Sequence, residues 1–210
     1  MSLADIRREY LGQPLDEAHS DADPLRQFTA WLEEVRELEP DPTAMALATA
    51  TRDGRPSVRT VLLKGADARG FVFYTNYDSR KARELAETGR ASLLFYWPSL
   101  NRQVRIEGSV EKVTDAESDA YFASRPLDSR IAATVSRQSE PIPDRAELQR
   151  LFDESSQRLA GGDLARPVSW GGYRVSADAF EFWQGRTGRL HDRLRYLKQG
   201  DSWIRDRLQP

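Results

Sequence analysis

From residue 44 onward the apolar residues recur with a period of two. MALATATRDGRPSVRTVLLK holds two such stretches around Asp53-Gly54, a dipeptide well suited to a tight turn between antiparallel strands. Alternation puts successive side chains on opposite faces of a sheet, so the segment reads as a hairpin and not as a helix. The signal returns in GFVFYTN, in ASLLFYW up to Pro98, and in QVRIEGSVEKV, where Gly108 predicts a bulge or bend. Three short strands are expected to close the chain: GGYRVS, AFEFWQG, and RLRYLKQG with its sequel SWIRDRL after a turn at Gly200.

Helical patterns lie between these strands. One runs from about Pro24 to Leu38, with Asp23 as N-cap and Phe28, Trp31, Leu32 and Val35 on one face. A second starts near Asp78-Ser79 and stops at Gly89. Asp115–Ser124 and Asp128–Ser136 are split by Arg125-Pro126, and Arg145–Leu159 carries Leu148, Leu151, Phe152 and Leu159 on one face. Residues 1–23 read as a polar arm with one helical turn around Ile6–Tyr10, and GGDLARPVSW reads as loop. Residues 24–210 are expected to form a single domain. Many antiparallel strands close in sequence, with helices inserted, argue for a mainly β barrel or sandwich with peripheral helices (α+β). No GxGxxG or Walker A sequence supports a doubly wound nucleotide fold.

Composition narrows the chemistry. The chain lacks cysteine, which removes disulfides, thiolate nucleophiles and iron–sulfur clusters. His19 and His191 are the only imidazoles, so no metal site is expected. Lys and Arg number 31 against 33 Asp and Glu, a formal net charge of -2, so no nucleic-acid coat is expected. No apolar run approaches the ~20 residues of a membrane span, and MSLADIRREYLGQPLDEAHSD has no apolar signal core. A cytoplasmic protein with no membrane partner is the expectation.

Four constellations could carry chemistry. In the strand Arg59-Thr60-Val61-Leu62-Leu63-Lys64, Arg59, Val61 and Leu63 share one face; alone this is also an ordinary amphipathic strand. Tyr74-Thr75-Asn76 leads into Ser79-Arg80-Lys81 at a helix start, where free backbone N–H groups and the dipole favour an anion. Basic residues there oppose the dipole, which a bound anion would resolve; the alternative is a capped helix with its cations in water. Tyr121 and Arg125 stand one helical turn apart with Ser129 following, a reasonable phosphate cup or a plain surface helix pair. Trp183, Arg186, Arg189, His191 and Arg193 crowd one loop between strands, where like charge should keep the histidine neutral.

RTVLLK, FYTNYDSRKA, RQVRIEG, YFASRPLDSRI, SRQS, WGGYRV and EFWQGRTGRLHDR occur in that order, between Arg7-Arg8-Glu9-Tyr10 and the final DRLQP. Together they resemble the pyridoxamine/pyridoxine 5'-phosphate oxidase family over nearly the whole chain. The resemblance implies an FMN-binding split β-barrel and a homodimer with FMN at the subunit interface. It implies oxidation of pyridoxamine and pyridoxine 5'-phosphate to pyridoxal 5'-phosphate by O2, releasing H2O2. By the same resemblance, Arg59, Thr60, Val61, Leu62, Leu63 and Lys64 run along the cofactor. Tyr74, Thr75, Arg80, Lys81, Gln103, Gln138 and Ser139 match further FMN contacts, and Trp183 and Arg193 match contacts supplied by the partner subunit. Lys64, Tyr121, Arg125 and Ser129 match the substrate-phosphate group. Arg189, Leu190 and His191 match residues over the substrate ring, with Arg189 and His191 in the catalytic role, and Arg7, Arg8, Glu9 and Tyr10 match an arm that covers it. The same barrel hosts other proteins, which leaves a flavin reductase and a non-catalytic FMN or pyridoxal phosphate carrier as alternatives.

Overall fold

The structure is a computed structural model that describes residues 2–5, 9–158 and 164–210. The expected hairpin is β1 (Ala44–Ala50) and β2 (Pro56–Leu62), paired antiparallel with Ala48 opposite Val58. A short β3 (Gly65–Asp67), too brief to leave a periodic signal, pairs with β4 (Gly70–Asn76). The helix α2 (Arg80–Thr88) follows, capped by Ser79 and ended by Gly89 at φ +64°. Then come β5 (Arg90–Trp97) and β6 (Arg102–Lys112). Helices α3 (Asp115–Ser124), α4 (Leu127–Val135) and α5 (Arg145–Arg158) separate them from the C-terminal strands.

The C-terminal region departs from expectation. GGYRVS and AFEFWQ are one strand, β7 (Trp170–Gln184), followed by β8 (Asp192–Gln199) and β9 (Ser202–Arg207). The Ala177-Asp178 between them reads as a break, but the structure absorbs it as a bulge: Glu107 faces Ala179 while Gly108 faces Ala177, so Asp178 has no partner on β6. Gly108 therefore lies opposite the extra residue and does not itself supply it. A Cβ there would come within 2.1 Å of the Ser176 carbonyl oxygen, so the backbones approach closely enough to require glycine.

The nine strands of the described residues join one sheet, in the order β2-β1-β5-β6-β7-β4-β3, with β8 added to β7 and β9 to β8. The first half of β7 pairs with β4 and the second half with β8, while β6 runs along both. The sheet forks at the bulge and curls into a half-barrel. Its concave side is filled by α1 (Pro24–Val35), whose expected apolar face is buried. Phe28 stands edge-on to Phe71 and Phe95, each at 5.0 Å, and Trp31 edge-on to Phe182 at 5.3 Å. Rings in this arrangement add about 0.5–1.5 kcal/mol per pair beyond burial.

Two peripheral segments differ from the reading. On α5 only Ser155 is buried, and Leu148, Leu151 and Phe152 are half-covered, so that helix contributes little to the core; Leu159 lies outside the described residues. In the arm, the described helical turn is a 3-10 turn at Leu3–Asp5, while Glu9 and Tyr10 are irregular and Ile6 lies outside the described residues. Leu15 is 5% exposed and belongs to the core. The backbone around it is held by side chains: Asp192 accepts from Leu15 N, Arg207 donates to Leu15 O, and Arg205 donates to Glu17 O and Ser20 O.

Candidate active site

A cleft of about 630 Å³ opens beside β2, the end of β4, the start of α2, and helices α3 and α4. Three of the four constellations meet in it. At its floor Lys81, buried, donates from Nζ to Gln138 Oε1 at 2.6 Å and to Thr75 Oγ1 at 3.0 Å. Burial, aided by Arg59, lowers its pKa to about 8. Ser139 Oγ accepts from the Arg80 backbone N–H at 3.1 Å, one of the free donors of the helix start. Gln138 and Ser139 thus close a cup whose other half is more than 50 residues earlier.

The cations of α2 behave differently from one another. Arg80 turns back to Glu84, Nε to Oε1 at 2.7 Å, which offsets its conflict with the dipole. Among the described residues Lys81 has no carboxylate partner. Glu84 is 3% exposed and also accepts from Ser57 at 2.5 Å, from Thr49, and pairs with Arg59 at 3.5 Å. Burial pushes its pKa up, yet the bonds from Ser57, Thr49 and Arg80 outweigh it and hold the carboxyl at about 2. Glu84 was not among the sequence candidates, although its spacing of four from Arg80 is legible there. Within RTVLLK, Thr60, Val61, Leu62 and Lys64 line the cleft with Arg59, whereas the Leu63 side chain lies in the core.

The opposite wall is aromatic. Tyr74 and Tyr121 stack at 4.0 Å and 19°, and Tyr74 and Trp170 at 5.5 Å and 12°. Arg125 lies over Trp170 at 4.7 Å, and its buried Nη1 has no hydrogen-bond partner among the described residues. A buried guanidinium donor left unpaired is costly unless an anion completes it. Lys64, Tyr121 and Ser129 line the same part of the cleft. The cleft therefore holds two cationic groups, one at the α2 start and one on α3–α4, joined by a flat wall.

The fourth constellation lies elsewhere. Gln103, Trp183 and Arg193 form one cross-strand row on β6, β7 and β8. Tyr10 stands edge-on to Trp183 at 5.7 Å and to His191 at 5.5 Å. His191 Nδ1 accepts the Arg186 backbone N–H at 3.1 Å, which puts the proton of the neutral ring on Nε2. Burial lowers the His191 pKa, with Arg189 adding to the effect and Asp192 opposing it, so the expected like-charge cause is the second one. Arg189 is exposed with φ +61°, Leu190 is 74% exposed and Glu9 is exposed; Arg7 and Arg8 lie outside the described residues. Trp170, in the cleft, and Trp183 sit 13 residues apart on β7, about 43 Å of strand at ~3.3 Å per residue. Among the described residues no group of three His, Asp or Glu is placed to hold a metal.

Comparison with known proteins places this geometry. Residues 32–158 match a family model described as pyridoxamine 5'-phosphate oxidase, and residues 170–210 one described as the pyridoxine 5'-phosphate oxidase C-terminal dimerisation region. A pyridoxine/pyridoxamine 5'-phosphate oxidase of Rubrobacter xylanophilus is 56% identical, over 99% of this chain and 96% of its own. One from Pseudomonas paraeruginosa is 52% identical over 100% and 99%. Among solved structures, PhzG from Burkholderia lata, in complex with tetrahydrophenazine-1-carboxylic acid, has a TM-score of 0.89 and 35% identity, covering 95% of this chain and 99% of that one. A pyridoxamine 5'-phosphate oxidase-related, FMN-binding protein of Nostoc punctiforme shares the fold at a TM-score of 0.73 and 18% identity, over 90% and 100%. Sequence motifs, half-barrel and full-length relatives agree: the chain belongs to the pyridoxine/pyridoxamine 5'-phosphate oxidase family.

Proposed function

We propose that this chain is an FMN-dependent oxidase that converts pyridoxamine 5'-phosphate and pyridoxine 5'-phosphate to pyridoxal 5'-phosphate. The observation that carries the reading is the pair of cationic groups in one cleft, one of them holding the unpartnered Arg125 Nη1. Two phosphate dianions, one on the cofactor and one on the substrate, match that pair. The donor set at the α2 start fits the phosphate of FMN: Lys81 without a carboxylate partner, the first-turn backbone N–H groups, Thr75, and Ser139. Bound there, FMN would supply the redox chemistry, a two-electron oxidation at the substrate C4' carbon with O2 as the final acceptor and H2O2 as its product.

The chain supplies position and charge. Lys64, Tyr121, Arg125 and Ser129 anchor the substrate phosphate, while the Tyr74–Tyr121–Trp170 stack keeps water from that end. Arg189 and the Nε2–H of His191 orient and polarise the C4' substituent. With the amine, water enters and ammonia leaves with the aldehyde; with the alcohol, the aldehyde forms directly.

The working form is a homodimer, in which Gln103, Trp183 and Arg193 of one copy complete the cleft of the other. One sheet face supports this. Val58, Ala48, Ser92, Glu107, Ala179, Leu197 and Ile204 form a single row across seven strands, and Val58, Leu197 and Ile204 are exposed. These exposed apolar side chains lie beside the charged row Arg105, Glu181 and Arg195, a mixture of apolar and charged groups that suits a protein contact.

Oxygen uptake tests the reading. The purified protein is expected to be yellow, to release FMN on acid treatment, and to consume O2 with either phosphorylated vitamer. Flavin binding without O2 uptake would make it a carrier. Flavin reduction by NADPH without vitamer oxidation would make it a reductase.

A further inference from the structure

Glu181 is a carboxylate with only 3% exposure, standing on β7 between the inward-facing Phe180 and Phe182. Its side chain is therefore on the outward face of the sheet, in register with Arg105 and Arg195. Desolvating a carboxylate is expensive unless cations and hydrogen bonds hold it. Here Oε1 accepts from Arg193 Nε at 2.8 Å, and Oε2 lies 2.9 Å from Arg105 Nη2, an ion pair without hydrogen-bond geometry. The one directed bond of this carboxylate thus goes to Arg193.

Arg193 does not face Glu181 in register. It is opposite Trp183, one row away, and leans across the strand to reach the carboxylate. Its Nη1 donates to Gln209 O at 2.7 Å, leaving Nη2 without a hydrogen bond among the described residues. A long, rotamer-rich side chain is in this way fixed at Nε and at one terminal nitrogen, starting from the cross-strand row that also carries Trp183 and Gln103. Glu181 also holds the guanidinium pKa above its usual value.

We propose that Glu181 is a positioning residue that sets the orientation of Arg193 for the partner subunit's FMN. This rests on the reading that Arg193 reaches that cofactor. The test is a mutant cycle on the full-length apoprotein, titrated with FMN by flavin fluorescence quenching, with the dimer followed by sedimentation. E181Q is expected to weaken FMN binding about tenfold, as loss of a charge-assisted bond would, and E181D to recover part of it. In the R193A background E181Q should add less than about twofold, because its effect passes through the arginine. An equal loss in both backgrounds would assign Glu181 a structural role and overturn the proposal. Wild-type affinity of a dimeric E181Q beside a weakened R193A would overturn it too while leaving the functional reading intact. Wild-type affinity of R193A would overturn the reading of Arg193 itself. Should E181Q not assemble, E181D in the two backgrounds carries the same comparison.

Discussion

At the residue scale, Lys81 and Arg125 set the charge of the cleft. Lys81 is buried without a carboxylate, and its pKa falls from 10.5 to about 8. Because the folded apoprotein binds this proton less well than the unfolded chain, apoprotein stability should rise between pH 8 and 10.5. A phosphate dianion prefers the charged lysine, so FMN binding takes up a proton above pH 8. FMN affinity should fall as pH rises through about 8, approaching tenfold per pH unit; isothermal titration in buffers of different ionisation enthalpy would measure both the uptake and the decline. Arg125→Met should raise the KM for pyridoxamine 5'-phosphate about 10- to 100-fold, from the loss of charged hydrogen bonds, without lowering the thermal midpoint, since Nη1 is unpaired. A lowered midpoint with an unchanged KM would show that Arg125 is a packing residue. Local spacing placed Thr75 beside Lys81, whereas Gln138 joined them only through the family resemblance, because that meeting depends on where the α4 C-terminal loop returns.

At the element scale, local signals sufficed where the chain is self-contained. Asp23 and Ser79 cap α1 and α2, Gly89 stops α2, and the Asp53-Gly54 turn joins β1 to β2. They failed at β7, where Asp178 inside an apolar pattern reads as a break. Whether such a residue ends a strand depends on the partners on each side, and β6 is long enough to carry pairing past Asp178. Gly108→Val tests that account. Its Cβ would meet backbone and not a movable side chain, so it should destabilise by about 1–3 kcal/mol or more, read as a lower urea midpoint at unchanged m-value. Gly54→Ala, with open space around the Cβ and only its φ of +84° against it, should lose less, about 1 kcal/mol.

At the scale of the whole molecule, the two candidate clusters sit on opposite halves of the bent β7, which both spaces them and fixes their directions. One chain thus carries the cleft at one end and the Trp183–His191–Arg193 group at the other. A hybrid-dimer experiment follows from this. R125A and R189A homodimers should each be poorly active, with R189A slowing turnover of bound substrate. Unfolding and refolding them together should restore about a quarter of wild-type activity, since half of the dimers are hybrids with one intact site each. Mixtures no better than the mean of their parents would show that each chain completes its own cleft.

Composition and periodicity by themselves determined the antiparallel class, the interleaved helices and the absence of thiol chemistry, because these follow from residue content and from spacing within a few turns of chain. Ordered motifs determined the family. Only the tertiary structure decided that Gln138 meets Lys81, that the Leu63 side chain faces the core, that Glu84 and Glu181 are buried beside arginines, and that β7 is a single strand. A carboxylate's burial and its partner are properties of surfaces brought together from distant segments, and they leave no period in the sequence to read.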